Sequence, residues 1–112
     1  MPEVVRITKN DRARPLSATL RGPDGTPVDL TGNTVVFRMV EFDTPTNVTV
    51  NSVAATILSA ADGTVEYSWA AGDVDAVGRF KGWFIRTITA SGKVEHFPGD
   101  GDYIKVDIVE AY

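Results

Sequence analysis

The sequence has no cysteine, which excludes disulfides, thiolate metal sites and a cysteine nucleophile together. Its single histidine, His96, excludes any multi-histidine site. His96 falls on a predicted strand two residues before Pro98, and no orienting carboxylate or nucleophile accompanies it; Gly-x-Ser-x-Gly does not occur. The plain reading is a strand-surface histidine, and no enzyme activity is expected. Neither Gly-x-Gly-x-x-Gly nor Gly-x-x-x-x-Gly-Lys-Ser/Thr is present, so nothing cradles a phosphate and no cofactor is expected. A basic excess is missing too: 11 Lys and Arg stand against 15 Asp and Glu, a formal net charge of −4, which argues against nucleic acid as a partner. Long apolar runs are absent. Val35-Val36-Phe37 is typical of the longest, far short of the ~20 residues that cross a bilayer, so no membrane partner is expected. Met1-Pro2-Glu3-Val4-Val5-Arg6 carries no export signal, so synthesis in a cytoplasm is expected.

Leucine, a strong helix former, is scarce, with 4 residues against 15 Val, 6 Ile and 12 Thr. That balance favours half-buried pleated surfaces over helices. The 112 residues, 43% of them apolar, suit one domain with one core. Two-residue alternation agrees: Val35, Phe37 and Met39 share a face with Arg38 opposite, and the same holds for Leu16, Ala18 and Leu20, for Val65, Tyr67 and Trp69, and for Ile104, Val106 and Ile108. Between these runs lie turn-forming stretches such as Gly22-Pro23-Asp24-Gly25-Thr26-Pro27, Ala61-Asp62-Gly63 and Ser91-Gly92. The pattern predicts strands at 3–9, 15–21, 34–41, 53–59, 64–70, 79–90, 93–97 and 103–109. Seven or eight short strands at this spacing predict an all-β, antiparallel β-sandwich, with a small barrel as the rival closure. Residues 15–112 form that domain, and 1–14 precede it as a strand or arm.

One predicted strand has two apolar faces. In Phe80-Lys81-Gly82-Trp83-Phe84-Ile85-Arg86, Phe80 and Phe84 share one side while Trp83 and Ile85 share the other. Two such faces need two covers: either a loop lies over the second, or Trp83 and Ile85 dock a partner subunit. The N-terminal segment poses a similar choice. Val4, Val5 and Ile7 sit among Glu3, Arg6, Lys9, Asp11, Arg12 and Arg14, as an edge strand or as an arm laid on a neighbouring copy. Asp73 and Asp75, like Asp100 and Asp102, are spaced Asp-x-Asp, but no calcium loop surrounds them. The ordinary role for Asp in such stretches is to hold a turn, and a weak cation site is the alternative.

Three stretches, taken in order, resemble the upper-baseplate N-terminal domain family of tailed bacteriophages. They are Pro27-Val28-Asp29-Leu30-Thr31-Gly32 with Val35-Val36-Phe37-Arg38-Met39; then Ala61-Asp62-Gly63-Thr64-Val65-Glu66-Tyr67-Ser68-Trp69 with Gly72-Asp73-Val74-Asp75 and Gly78-Arg79-Phe80; and finally Glu95-His96-Phe97-Pro98 with Tyr103-Ile104-Lys105-Val106. The resemblance implies an Ig-like sandwich, with Trp69 and Phe80 in the core, and a structural role in the virion, at the tail or baseplate. It implies other virion proteins and copies of this chain as partners. The expected contact residues are Trp83 and Ile85, with Val4, Val5, Arg6 and Arg12 from the N-terminal segment. The chain ends at Tyr112, and the distal module that longer relatives carry is expected to be missing. A head-associated protein, either a capsid decoration or a head-tail connector, is the rival within the virion. A carbohydrate- or receptor-binding module using Trp83, Tyr103 and the Asp-Gly loops is the rival from another class.

Overall fold

The computed structural model describes residues 3–99 and 102–110. Among these residues nine strands form and no helix: β1 (Glu3–Thr8), β2 (Leu16–Thr19), β3 (Asn33–Glu41), β4 (Val48–Ala54), β5 (Thr56–Ser59), β6 (Thr64–Tyr67), β7 (Gly78–Ile88), β8 (Lys93–Phe97) and β9 (Ile104–Val109). A large sheet runs β1-β9-β7-β3-β4, with β8 also paired to β7, and a small sheet runs β2-β6-β5. The expected all-β sandwich is what forms.

Three details differ from the sequence reading. The strands number nine, because the predicted strand 53–59 spans the end of β4 and all of β5, which belong to different sheets. The chain crosses between the sheets at Ala55, whose N–H donates to the Val35 carbonyl at 2.9 Å. The start of β4 escaped notice because Ser52 has a positive φ of 53° and the register against β3 shifts nearby, so the two-residue period breaks inside the strand. Third, the edge strand β1 pairs with β9 in parallel, whereas the other strand pairs are antiparallel. Residues 3–8 are therefore an edge strand of their own sheet and not a free arm.

Strand β7 organises the large sheet. One of its edges, from Phe80 to Ile88, pairs with the whole of β3. The other is shared end to end: residues 84–88 pair with β8 and 78–82 with β9. Strands β8 and β9 are thus two pieces of one line along β7, interrupted by the segment that follows the cis Phe97–Pro98 peptide.

The core lies between the sheets. Leu16, Val65 and Tyr67 from the small sheet meet Val35, Phe37, Met39, Phe80, Phe84, Val106 and Ile108 from the large one, and Trp69 joins them just beyond β6. Phe37 is fully buried at its centre, stacked on Tyr67 with centroids 4.8 Å apart, edge-on to Trp69 at 5.8 Å and tilted against Phe84 at 5.1 Å. Such aromatic pairs contribute about 0.5–1.5 kcal/mol each beyond their buried area. The ring fits because its neighbour on β7 is Gly82: a Cβ there would lie 2.8 Å from Phe37 Cζ.

At one end of the small sheet the Tyr67 hydroxyl donates to the Asp73 carboxylate, and the Ala70 N–H donates to the same oxygen at 2.8 Å. Asp73 thus holds the turn after Trp69. Burial first, and the adjacent Asp73 carboxylate second, push the Tyr67 phenol well above its ordinary value of 10.0.

Two outcomes follow from this packing. Gly82→Ala should destabilise the fold by about 1–3 kcal/mol, read from urea unfolding midpoints, because Phe37 has no space to withdraw into. Because the folded state binds the Tyr67 proton more tightly than the unfolded chain, its contribution is complete below the ordinary phenol value and is lost as pH rises above it. Tyr67→Phe should therefore lower stability at neutral pH by about 1–2 kcal/mol and make the fall above about pH 10 shallower in chemical unfolding at a series of pH values.

Candidate functional site

The inward face of the large sheet closes the core, and the outward face carries a second set of apolar and cationic side chains. Register places them in rows across the strands. One row runs Val4, Lys105, Lys81, Val40, Val48 from β1 to β4. A second runs Arg6, Asp107, Arg79, and a third runs His96, Ile85, Val36, Ala54. Trp83 and Arg38 pair between the first row and the third.

This face has a small packed centre of its own. Val40 is buried at 3% exposure yet stands apart from the core cluster, on the outward side with Lys81. Phe42 and Tyr103 meet edge to face at 5.6 Å, and the Lys81 ammonium lies 4.9 Å from the Phe42 ring centre and 5.1 Å from that of Tyr103. The Arg79 guanidinium lies 5.0 Å from the Phe42 ring centre and 3.4 Å from the Asp43 carboxylate. Lys81 and Lys105 are direct cross-strand neighbours, a like-charge pair that costs free energy, and the two rings offset part of that cost. Arg38 donates to the Asn51 side chain at 3.0 Å. Asp107 sits in register between Arg6 and Arg79, and its Oδ1 is closed off from solvent without a hydrogen-bond partner among the described residues.

Trp83 is half-buried, and its indole N–H donates to the Asp102 carbonyl at 2.8 Å. The Asp102 backbone thus ties down the polar edge of the ring, while Ile85 remains half-exposed beside the exposed His96. Of the N-terminal residues, Val4 is 58% exposed and faces outward, as does Arg6. Val5 instead packs against the core, opposite Val106, so it has no part in the outward face. Arg12 is exposed on the connection between β1 and β2, away from the rows. The sequence reading missed Val40, Phe42, Lys81 and Lys105, and it named Tyr103 only for the binding-module alternative. The alternation that exposed Trp83 and Ile85 also puts Val36 and Val40 on one side of β3, with Phe42 next in the same phase just beyond its end, so that signal was present.

A groove of about 790 Å³ opens where β8 gives way to β9, lined by Arg21, Pro23, Trp83, Glu95, His96 and Asp102 among others. Its polar groups are largely engaged with one another or with backbone. Glu95 is held by Arg86 at 2.7 Å, Arg21 donates to the Gly25 carbonyl, and Asp102 accepts from the Tyr103 N–H. Asp73 is used by Tyr67 and Ala70, Asp75 is exposed, and Asp100 lies outside the described residues. No group of three potential ligating side chains forms among the described residues.

No protein-family model matches the sequence, and no curated protein matches it. Among solved structures, the chain is similar to the N-terminal domain of ORF48 of phage TP901-1, with a TM-score of 0.61 and 14% identity, covering 100% of this chain and 91% of that one. At that identity the likeness is one of fold: this chain has the architecture of a phage protein domain along its whole length.

Proposed function

We propose that the chain is a structural component of a tailed-phage particle, associated with the tail or baseplate, and that it acts by packing against other virion proteins and not by catalysis. The observation that carries this reading is the second apolar face of the large sheet, on a domain whose first face already closes its core. A strand rise of about 3.4 Å and a strand spacing of about 4.8 Å give that face an area of roughly 700 Å². A standard stable interface takes about 800 Å² from each partner. Trp83, Ile85, Val36 and Val4 supply the apolar contact, and Arg6, Lys105 and Arg79 surround it with charge. The fold shared with a domain of a phage protein, together with the baseplate-family resemblance of the motifs, supports the virion setting.

The groove beside Trp83 favours one further reading, a module that binds a saccharide or receptor against the indole. Glycan-array binding that disappears with Trp83→Ala would support it, and blank arrays would remove it.

The packing reading is tested with the phage that encodes the chain. Trp83→Ala combined with Ile85→Ser should leave the isolated domain folded by circular dichroism while reducing its copies per purified particle at least about tenfold, measured by quantitative mass spectrometry. Unchanged incorporation of the folded variant would exclude the face as the contact. A wild-type copy number that is a small multiple of three or six fits the tail axis or baseplate, and one that tracks the capsid lattice moves the protein to the head.

A further inference from the structure

The small sheet ends at β2, which pairs with β6 alone. The Leu20 N–H donates to the Gly63 carbonyl at 2.8 Å, on the β6 side, so by strand alternation Leu16 and Ala18 also bond toward β6. Past β2 the chain runs on in the same line: the Val28 N–H donates to the Leu20 carbonyl and the Gly22 N–H to the Thr26 carbonyl, around the bridge between Arg21 and Pro27. The N–H and C=O groups of Ser17, Thr19 and Arg21 therefore point the other way, to the open side. All three residues are exposed, and none of these groups has a hydrogen-bond partner among the described residues. A cavity of about 160 Å³ lies along this edge, with Ala18 and Leu20 on one wall and Phe84, Phe97, Pro98 and Ile104 on the other. Among the described residues none from β5 or β6 lines it, so it opens on the unpaired side of β2. A cavity of roughly 150 Å³ holds a benzene ring, so this one takes a single side chain the size of leucine or phenylalanine.

We infer that the outer edge of β2 takes up an extended segment of another protein as an added strand, with one apolar side chain of that segment seated in the cavity. The edge itself selects this occupant. Donors and acceptors that recur at every second residue, about 6.8 Å apart, match the main chain of an extended peptide. Residues of the added strand opposite Ala18 or Leu20 point between the sheets, into the cavity, and those opposite Thr19 or Arg21 point to solvent. Arg21 closes one end of the edge with a cation that makes no ion pair among the described residues, which favours an acid on the segment there. The β2 edge of a second copy is a poorer occupant, because its Leu16, Ala18 and Leu20 already pack on its own core and leave no side chain for the cavity. The site lies apart from the outward face of the large sheet on which the packing reading rests, so either stands without the other.

The experiment selects a random peptide library against the whole chain and measures binding of the synthetic consensus peptide by fluorescence anisotropy. The consensus should carry apolar residues at alternate positions, with an acid at one end. Thr19→Pro puts a ring where the outward N–H stood and leaves the bonds to β6 in place, so it should weaken peptide binding at least about tenfold. Thr19→Ala keeps the N–H and should bind as wild type does; circular dichroism checks that both variants are folded. Amide exchange followed by NMR needs no variant. Ser17, Thr19 and Arg21 should exchange rapidly in the free chain and slow at least about tenfold with peptide bound, while Ala18 and Leu20 are protected throughout. A library that enriches nothing, a consensus without alternation, binding indifferent to Thr19→Pro, or edge amides that the peptide leaves unchanged would each overturn the added strand. None of these results touches the packing reading, which depends on incorporation into particles and fails separately.

Discussion

The sandwich depends on one ring entering one gap. Phe37 projects from the middle of the large sheet, and it reaches Tyr67 and Trp69 on the small-sheet side because Gly82 leaves room beside it. A methyl group at that position would push the ring out of the stack, and the two sheets would lose the contact that sets their separation. The same close approach lets β3 and β7 pair without interruption over nine residues, from Asn33 opposite Ile88 to Glu41 opposite Phe80. That long straight pairing is the floor on which the outward rows are laid. The core and the candidate contact surface are thus opposite faces of the same two strands.

Much of this was legible in the residues. The alternation of Val35, Phe37 and Met39, of Val65 and Tyr67, and of Ile104, Val106 and Ile108 reports burial directly, since a strand in water on one side must alternate. Trp69 and Phe80 lie in the core as the motif resemblance implied, at 6% and 5% exposure. The two-faced character of β7 also showed in sequence, because Trp83 and Ile85 interrupt what should be a polar row. Other features had no local signature. The parallel pairing of β1 with β9 joins residues about one hundred positions apart with no turn between them to announce it. Ser52 hid most of β4 by breaking the period. The gathering of Lys81, Phe42 and Tyr103 required the register of three separate segments, which no single window contains.

The fold also explains the division of labour among the acids. Asp73 is buried and hydrogen-bonded, so it serves the turn; Asp24 and Asp29 are exposed, and hydrogen bonds from Thr26 and Thr31 hold their carboxyl groups below the usual carboxylate range. Aspartates in turn-forming stretches therefore fill different positions, one inside the molecule and the others on its surface.

The parallel pairing of β1 with β9 has a mechanical consequence. Six residue pairs, from Glu3 with Ile104 to Thr8 with Val109, lie side by side and point the same way. Tension applied along the chain between Glu3 and Val109 therefore pulls the two strands past each other lengthwise, loading all their hydrogen bonds at once. Antiparallel terminal strands would instead open one bond at a time, like a zipper. A domain wired in this way resists stretching through the geometry of its outermost pair, without any cross-link, and yields only when the whole ladder slips together.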